Sequence, residues 1–384
     1  MTSELTLFVN PTAGRGRGAR AAQPAARALR DAGFSVRTVV GHTADDALRR
    51  AREAVAAGTG ALVVVGGDGM ISLALRAVAG TRTPLGIIPA GTGNDFARAL
   101  GLPLGDPAAA ARVAARILGT TGARAVDLGR IGTGGAPTGA ADLAGETTGE
   151  PTGPAVVSPT GDGAGDHAGH AAANPAGDAA GDLARPAAAK SADRAAGDRA
   201  GESATGRWYG TVLASGFDSR VNDRGNRMRL RAGRFTYDLA LLAELAGFRP
   251  VPYRLTLDDG RVVETDATLV AVGNGSSYGG GMRICADARV DDGLLDVTVV
   301  GDCDRRTLLK VFPRVYKGTH LSHPKVTTYR VRSLTLEAPD TTGYADGEPL
   351  GSLPLTVSCV PGALRVLAPT PGEEPGAGPS TSPR

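Results

Sequence analysis

Two glycine-rich segments carry the clearest chemical signal in this 384-residue chain. Gly66–Gly69 (GGDG) follows the hydrophobic run 61–65, and Gly91–Asp95 (GTGND) follows the run 86–90. A short β-branched run that ends in glycines and opens into a helical pattern is typical of a buried parallel strand turning into a helix. At such a turn backbone N–H groups can approach an anion, and the helix N-terminus favours negative charge. The two segments together predict a site for nucleotide phosphates.

Two further segments are acidic. Tyr344–Pro349 (YADGEP) holds Asp346 and Glu348 on either side of a glycine, and Arg289–Asp296 (RVDDGLLD) holds three aspartates. A carboxylate presented at a turn can accept the proton of a hydroxyl nucleophile. On sequence alone, however, such turns are usually solvated hairpins, so both interpretations stay open at this point.

The elements that must position these segments alternate in the first part of the chain. The patterns predict strands at 5–9, 35–40, 62–65 and 85–88, and helices at 16–32, 43–57, 70–79 and 94–100. Such alternation indicates a parallel α/β sheet, whose ligands bind at the carboxyl ends of the strands. Both glycine segments fall at those ends.

The second part of the chain is rich in strand patterns. Strands are predicted at 253–257, 269–273, 295–300, 332–338 and 364–367, with turns at 258–260 and 292–293 and a helix at 236–246. This pattern favours a β-sandwich or a similar all-β domain. The predicted fold class is therefore α/β plus all-β, with an N-terminal parallel α/β nucleotide-binding domain at 1–124 and a C-terminal β-sandwich-like domain at 125–368.

Residues 131–206 have a different composition. They include no aromatic residue and ten acidic against four basic residues. Such a segment cannot bury enough apolar area to offset the entropy of ordering, so this insert is predicted to be disordered, as is the Pro/Gly/Ser-rich tail 369–384.

The formal net charge is +3 for the whole chain and −6 for the insert, which leaves +9 on the remainder. The small overall charge argues against a nucleic-acid partner. The basic remainder suits a phosphorylated substrate or an anionic membrane, although an Arg-rich composition alone gives the same sign.

The compartment is predicted from cysteines and apolar runs. Cys285, Cys303 and Cys359 lie far apart without a C-x-x-C spacing, which argues against a disulfide framework or a zinc site and fits a reduced cytoplasm. No signal peptide is visible, and no apolar run reaches the ~18 residues of a membrane span. We therefore expect a cytoplasmic protein with peripheral membrane contact. The arginines between 220 and 234, ahead of the apolar helix 236–248, are a candidate for that contact, with a solvated loop as the alternative.

Three segments taken together resemble the diacylglycerol kinase catalytic domain: Asn10–Gly14 (NPTAG), Gly66–Gly69 and Ile88–Arg98 (IPAGTGNDFAR). NAD kinases and phosphofructokinases share a similar GGDG turn, whereas the NDFAR ending is specific. The chain is similar to this lipid-kinase group, which includes sphingosine and ceramide kinases, over residues 5–130 and 207–368. The resemblance implies an ATP-dependent kinase acting on a lipid hydroxyl at a membrane surface, converting diacylglycerol to phosphatidic acid in phospholipid biosynthesis. It also makes 125–368 the lipid-substrate domain.

The resemblance also implies residue roles. Glu348 would accept the proton of the lipid hydroxyl, with Asp346 as its partner. Mg²⁺ would be held by the Asp292 carboxylate and the carbonyls of Arg289 and Leu294, where the alternative is an acidic turn without an ion. The residues expected to bind ATP or to shape its loops are Asn10, Thr43, Gly66, Gly67, Asp68, Gly69, Thr92 and Asn94.

Two features set this chain apart. The family usually follows the first glycine segment with Thr and then an Asn-Glu pair, whereas Met70–Leu73 (MISL) follows here, so those polar side chains are missing while the backbone cradle is kept. The insert also interrupts a β-hairpin that the resemblance places at 125–130 and 208–213. Because a long loop adds little closure entropy, we expect the hairpin to form.

Other functions compatible with these residues are a sphingoid-base or other lipid or small-molecule kinase, an NAD kinase, and a catalytically weak lipid- or nucleotide-binding regulator. The NDFAR ending disfavours the NAD kinase. The missing Asn-Glu pair suggests the regulator, and the retained Asp346 and Glu348 argue against it. The sequence leaves the oligomeric state open, with a homodimer among the options.

Overall fold

A parallel sheet forms the first part of the computed structural model, which describes residues 4–9, 16–133, 206–216 and 249–372. Its strands run in the order β2-β1-β3-β4. They are β1 (Glu4–Val9), β2 (Ser35–Val40), β3 (Leu62–Gly66) and β4 (Leu85–Pro89). Every residue of β3 and β4 is buried, which explains why their sequences are continuous apolar runs.

Helices connect and flank these strands. They are α1 (Arg17–Asp31), α2 (Ala44–Ala56), α3 (Asp68–Val78), α4 (Asp95–Ala99) and α5 (Pro107–Gly119). Helix α1 packs against α5, and α2 packs against α3. The first four were predicted to within two residues, whereas α5 was missed although Asp106 caps it and Pro107 opens it. No helix in the described part of the chain is long and apolar enough to cross a membrane.

Antiparallel strands form most of the second part. They are β5 (Arg124–Thr133), β6 (Arg207–Tyr209), β7 (Val212–Gly216), β8 (Val251–Leu257), β9 (Val262–Gly273), β10 (Leu295–Gly301), β11 (Val326–Val331), β12 (Ser333–Glu337), β13 (Thr342–Ala345), β14 (Glu348–Ser352) and β15 (Leu355–Val366). Strand neighbours follow the order β14-β13-β7-β9-β8-β12-β15, with β10 between β9 and β11, and β5 between β15 and β6. The predicted fold class is confirmed. A further helix, α6 (Arg305–Val315), and a 3₁₀ turn at Thr319–Ser322 were not predicted.

The interrupted hairpin forms only in part. Strand β5 pairs with β6 in the register Gly129↔Tyr209, as expected for 208–209. The return was predicted to continue to residue 213, but β7 pairs with β9 and β13 instead. The chain bends at Gly210 and Thr211 because the carboxylate of Asp346 accepts both backbone N–H groups, at 2.8 and 2.9 Å.

The two sheets are continuous because the last strand returns to the first part of the chain. Val366 at the end of β15 pairs in parallel with Leu85 of β4. The apolar residues of 363–368 belong to the core around the parallel sheet, together with Val126 and Leu128. All described residues fall in one compact unit. The predicted helix 236–246, the arginines at 220–234 and nearly all of the insert and tail lie outside the described residues.

Candidate active site

The two glycine segments touch at the carboxyl edge of the parallel sheet. Strand β3 ends at Gly66 and α3 begins at Asp68, while β4 ends at Pro89 and α4 begins at Asp95. A Cβ atom added to Gly67 would lie 2.8 Å from the Cα of Gly91. Since the two backbones are in direct contact, both positions require glycine for lack of space.

Asp68 joins the two segments through hydrogen bonds. Its carboxylate accepts the backbone N–H groups of Asn94 and Asp95, both at 2.8 Å, and so caps the N-terminus of α4. Asn94 adopts a left-handed conformation with φ of 56°. Its side-chain oxygen accepts the N–H of Gly91 at 2.9 Å, and its amide nitrogen donates to the Gly91 carbonyl at 3.1 Å. Thr92 is exposed at the tip of this interlocked pair.

The first turn of α3 offers backbone amides as anion donors. Gly67 is its N-cap and supplies no side-chain hydrogen bond to the helix N-terminus. Uncapped N-terminal amides and the helix dipole both favour a phosphate group. Met70–Leu73, which replace the family's usual polar residues, are all buried, and the three apolar ones belong to the core around the parallel sheet. The side chains of this stretch of α3 therefore pack in the protein interior.

Glu348 approaches the first glycine segment from the second part of the chain. It begins β14 in a hairpin with β13, where Ala345 pairs with Glu348 across a two-residue turn. Asp346 and Gly347 have φ of 49° and 82°, as the tight turn of such a hairpin requires. Glu348 Oε1 lies 3.9 Å from where a Cβ atom of Gly69 would stand. A carboxylate therefore lies beside the predicted phosphate loop.

Asp346 fixes the turn that carries Glu348. Besides the two N–H groups of Gly210 and Thr211, its carboxylate accepts the Thr211 hydroxyl. Burial raises the pKa of Asp346, against the lowering effect of these hydrogen bonds, and the nearby charge of Asp68 raises it further. The structure thus attaches the acidic turn to the bend between β6 and β7.

Asp95 is a site residue to which the sequence analysis gave no role. Its buried carboxylate accepts the N–H groups of Gly280 and Gly281 at 2.7 and 2.8 Å. Burial raises the pKa of Asp95, a shift that the Gly280 hydrogen bond opposes and the Asp68 charge increases. A Cβ atom on Gly280 would lie 3.8 Å from Gly93 Cα, so this loop flanks the second glycine segment. The signal in the sequence was the run Gly279–Gly281, whose three residues all have positive φ.

The predicted Mg²⁺ ligands lie at a turn before β10. The Asp292 carboxylate accepts the Leu294 N–H at 3.1 Å and forms an ion pair with Arg330. Arg330 also lies 3.6 Å from Asp296, so a guanidinium already serves as the cation there. No group of three or more His, Cys, Asp or Glu side chains in the described residues could hold a metal ion. These side chains do not form a ready cation cage, and the Mg²⁺ site at Asp292, with Arg289, stays a prediction.

Thr43, one of the predicted nucleotide contacts, lies near the same sheet edge. Thr43 follows β2, and its hydroxyl accepts the Asp46 N–H at 3.1 Å as the N-cap of α2. Its contact with a nucleotide stays a prediction. Asn10 follows β1 and lies outside the described residues.

Comparisons with known proteins agree with this architecture. A family model described as diacylglycerol kinase catalytic domain matches residues 4–131, and one described as YegS C-terminal NAD kinase beta sandwich-like domain matches residues 211–368. A Mycobacterium tuberculosis protein named diacylglycerol kinase is 38% identical over 369 residues, 96% of each chain. A Stenotrophomonas maltophilia protein named probable lipid kinase YegS-like is 26% identical and covers 84% of each chain.

A solved structure shares the fold. The crystal structure of a putative diacylglycerol kinase from Bacillus anthracis str. Sterne matches with a TM-score of 0.63 and 20% identity, over 96% of this chain and 98% of that one. Fold and relatives together define a phosphotransferase of the kinase class. The chain belongs to the diacylglycerol kinase family of lipid kinases, and the resemblance drawn from its three motifs is confirmed.

Proposed function

We propose that this protein transfers the γ-phosphoryl group of ATP to the free hydroxyl of diacylglycerol, producing phosphatidic acid and ADP at a membrane surface. The observation that carries the proposal is the position of Glu348. Its carboxylate lies beside Gly69, so a proton acceptor stands next to the phosphate-binding amides. Phosphoryl transfer needs this juxtaposition, because the protein must hold the phosphates and activate the attacking hydroxyl together.

Nucleotide binding falls to the interlocked glycine segments. The first-turn amides of α3 face the phosphates, and Asp68 keeps the second segment at a fixed distance from the first. ATP enters as its magnesium complex, in which the ion offsets phosphate charge. Because Met70–Leu73 are buried, backbone groups rather than side chains of α3 make these contacts.

The chemical step needs one proton acceptor. Glu348 takes the proton of the lipid hydroxyl as its oxygen forms a bond to the γ-phosphorus. The bond between that phosphorus and the β–γ bridging oxygen breaks, and ADP leaves with the electron pair. Asp346 is a positioning residue here, since its hydrogen bonds to Gly210 and Thr211 fix the turn that bears Glu348. Diacylglycerol is favoured over a sphingoid base because the relative sharing 38% identity over nearly its whole length is named diacylglycerol kinase.

Radiolabelled ATP offered with diacylglycerol, sphingosine, ceramide or NAD tests the acceptor and the base together. We expect label in phosphatidic acid alone. Glu348→Gln keeps the side-chain size and removes the basicity, so kcat should fall ~10²–10⁴-fold with little change in the KM for ATP. Glu337→Gln, at the end of β12, is the matched control and should retain full activity.

Label in another acceptor would overturn the choice of diacylglycerol. A Glu348→Gln enzyme within about threefold of the wild-type kcat would overturn the assignment of the base.

A further inference from the structure

Helix α6 presents an apolar ridge to solvent. Leu309 and Tyr316 are 53% and 42% exposed, and they are two of the four large apolar side chains that are exposed in the described residues. Pro313 is exposed between them. Positions 309, 313 and 316 follow the spacing of one helix face. The ring of Tyr316 packs edge-on against Phe312 at 6.0 Å, which holds the end of the ridge in place.

Basic side chains surround this ridge. Arg305, Arg306, Lys310 and Lys317 are exposed on and beside it. The acidic residues of the same stretch, Asp302 and Asp304, stand at its N-terminal end, where Asp304 caps the helix by accepting the Thr307 N–H at 2.8 Å. An apolar stripe bordered by Lys and Arg is typical of a helix that lies in a bilayer interface. Long basic side chains can reach headgroup phosphates while their stems cover apolar surface.

The opposite face of α6 is anchored to the protein. Val311 and Val315 are buried, and Val315 joins a small apolar cluster with Val212 and Ala214 of β7. The helix therefore has a fixed orientation, and its exposed ridge is the face left over after packing. Leu309 and Tyr316 are not part of the apolar cluster that anchors the helix.

The C-terminal end of α6 is connected to the candidate active site. The Val315 carbonyl accepts the N–H of Arg283 at 3.1 Å. Arg283 follows Met282, which closes the loop whose Gly280 and Gly281 bind the carboxylate of Asp95. A surface seated on α6 would thus be held in a fixed relation to the glycine segments.

We propose that α6 docks this enzyme on anionic phospholipid bilayers through a docking face made of Arg306, Leu309, Lys310, Pro313, Tyr316 and Lys317. The apolar ridge inserts at the headgroup boundary, and the three basic side chains contact lipid phosphates. Charge complementarity selects this occupant over a neutral apolar partner, because exposed Arg306, Lys310 and Lys317 flank the ridge, while the acidic residues of the stretch are confined to its N-terminal end. The inference goes beyond the proposed function, since it assigns a membrane surface that binds without ATP or turnover.

Vesicle flotation without nucleotide tests the docking face. The full chain is mixed with vesicles of phosphatidylcholine plus phosphatidylglycerol, or of phosphatidylcholine alone. We expect binding to the anionic vesicles that declines at high salt. The variant R306Q/K310Q/K317Q should bind them ~100-fold more weakly, at about fivefold for each basic side chain removed. The variant L309S/Y316S should also lose binding, while L104S/V262S, which alters the other two exposed apolar side chains, should bind like wild type.

Two further readouts separate the outcomes. All variants should keep the wild-type circular dichroism and the wild-type rate on a short-chain, monomerically dispersed diacylglycerol, because the docking face contains no residue of the site. Equal vesicle binding by wild type and both α6 variants would overturn the proposal. The proposal would also be overturned if light scattering showed a wild-type dimer that dissociates in L309S/Y316S, because α6 would then be a contact between two copies of the chain. Vesicle binding without kinase activity would contradict the proposed function and leave the docking face intact.

Discussion

Gly67 and Gly91 are positions where one added Cβ atom would disrupt the two glycine segments of the predicted phosphate site. Their backbones are so close that no Cβ atom fits at either position without displacing main chain. Gly67 has φ of −100°, so its need for glycine comes from space and not from backbone conformation. A substitution there separates the two segments that Asp68 holds together.

Gly67→Ala should therefore impair ATP binding. The new Cβ would stand 2.8 Å from the Cα of Gly91, and main chain cannot yield as a flexible side chain can. We expect the ATP affinity, measured by calorimetry, to fall at least tenfold and the melting temperature to fall with it. Gly119→Ala is the matched control, because a Cβ at that end of α5 meets nothing within 4 Å and alanine favours a helix. Unchanged ATP affinity in Gly67→Ala would show that the nucleotide binds elsewhere.

The site contacts that the motifs indicate are those within one segment or between two neighbouring segments. Asn94 bonds to Gly91, three residues away, and Asp68 reaches the neighbouring strand's loop, so a motif records both. Asp95 binds Gly280, which is 185 residues away, and nothing in the linear pattern joins them. The pairing of Asp346 with Thr211, across 135 residues, was hidden for the same reason, and the motif suggested Glu348 as its partner.

Strands β10 and β11 bring a buried carboxylate and a guanidinium together. Asp296 lies opposite Arg330 in the antiparallel register, and Asp296 Oδ2 is buried without a hydrogen-bond partner. Burial raises the pKa of Asp296 to about 6 from an ordinary value of 3.8, while Arg330 opposes the shift and Asp292 adds to it. The pair thus combines a favourable charge contact with an unfavourable desolvation.

This raised pKa predicts a pH dependence of stability. Between pH 3.8 and about 6 the folded protein keeps a proton on Asp296 that the unfolded chain has released, so that contribution is lost as the pH rises through this window. From pH 7.5 to pH 5 the wild type should gain about 1 kcal/mol relative to Asp296→Asn, which does not titrate. Urea unfolding at both pH values measures the difference, with the exposed Asp302→Asn as control. Identical pH dependence in wild type and Asp296→Asn would contradict the raised pKa.

Most of the elements that the sequence predicted have apolar residues that recur with a regular period. Helices α1–α3 and strands β1, β3 and β4 have apolar residues that match one buried face or two. Helix α6 was missed because its apolar residues mark two faces, with Leu309 exposed and Val311 buried, and because Pro313 interrupts the pattern. The short strands β13 and β14 form because a two-residue turn joins them and because β13 pairs with the distant strand β7. A local hydrophobic pattern contains no sign of either contact.

The last strand, β15, connects the second part of the molecule to the parallel sheet of the first part. Strand β15 pairs with β12 and β5 in the second part and then reaches β4 in the first. The division of the chain between residues 124 and 125 stays a prediction. The apolar residues of 363–368, near the end of the second part, share the core of the parallel sheet. This continuity fixes Glu348 relative to Gly69, because Glu348 begins β14 and Gly69 lies in the first turn of α3, just after β3, and both strands belong to one connected sheet.

The insert leaves the sheet at the end of β5 and returns at the start of β6, and these two positions are adjacent in the sheet. Ile131 pairs with Arg207, and the Gly206 N–H bonds to the Ile131 carbonyl, so the strand ends are within the span of a short turn. Deleting residues 134–204 and closing the hairpin with Asn-Gly should therefore preserve cooperative unfolding and kcat. If the insert is the disordered loop that its composition predicts, shortening it should stabilise the fold by about 2 kcal/mol through lower closure entropy. A variant that carries a Gly/Ser linker of the insert's own length should match the wild-type free energy of unfolding. Loss of cooperative thermal unfolding, or of activity, in that linker variant would show that the insert contributes structure that its composition does not predict.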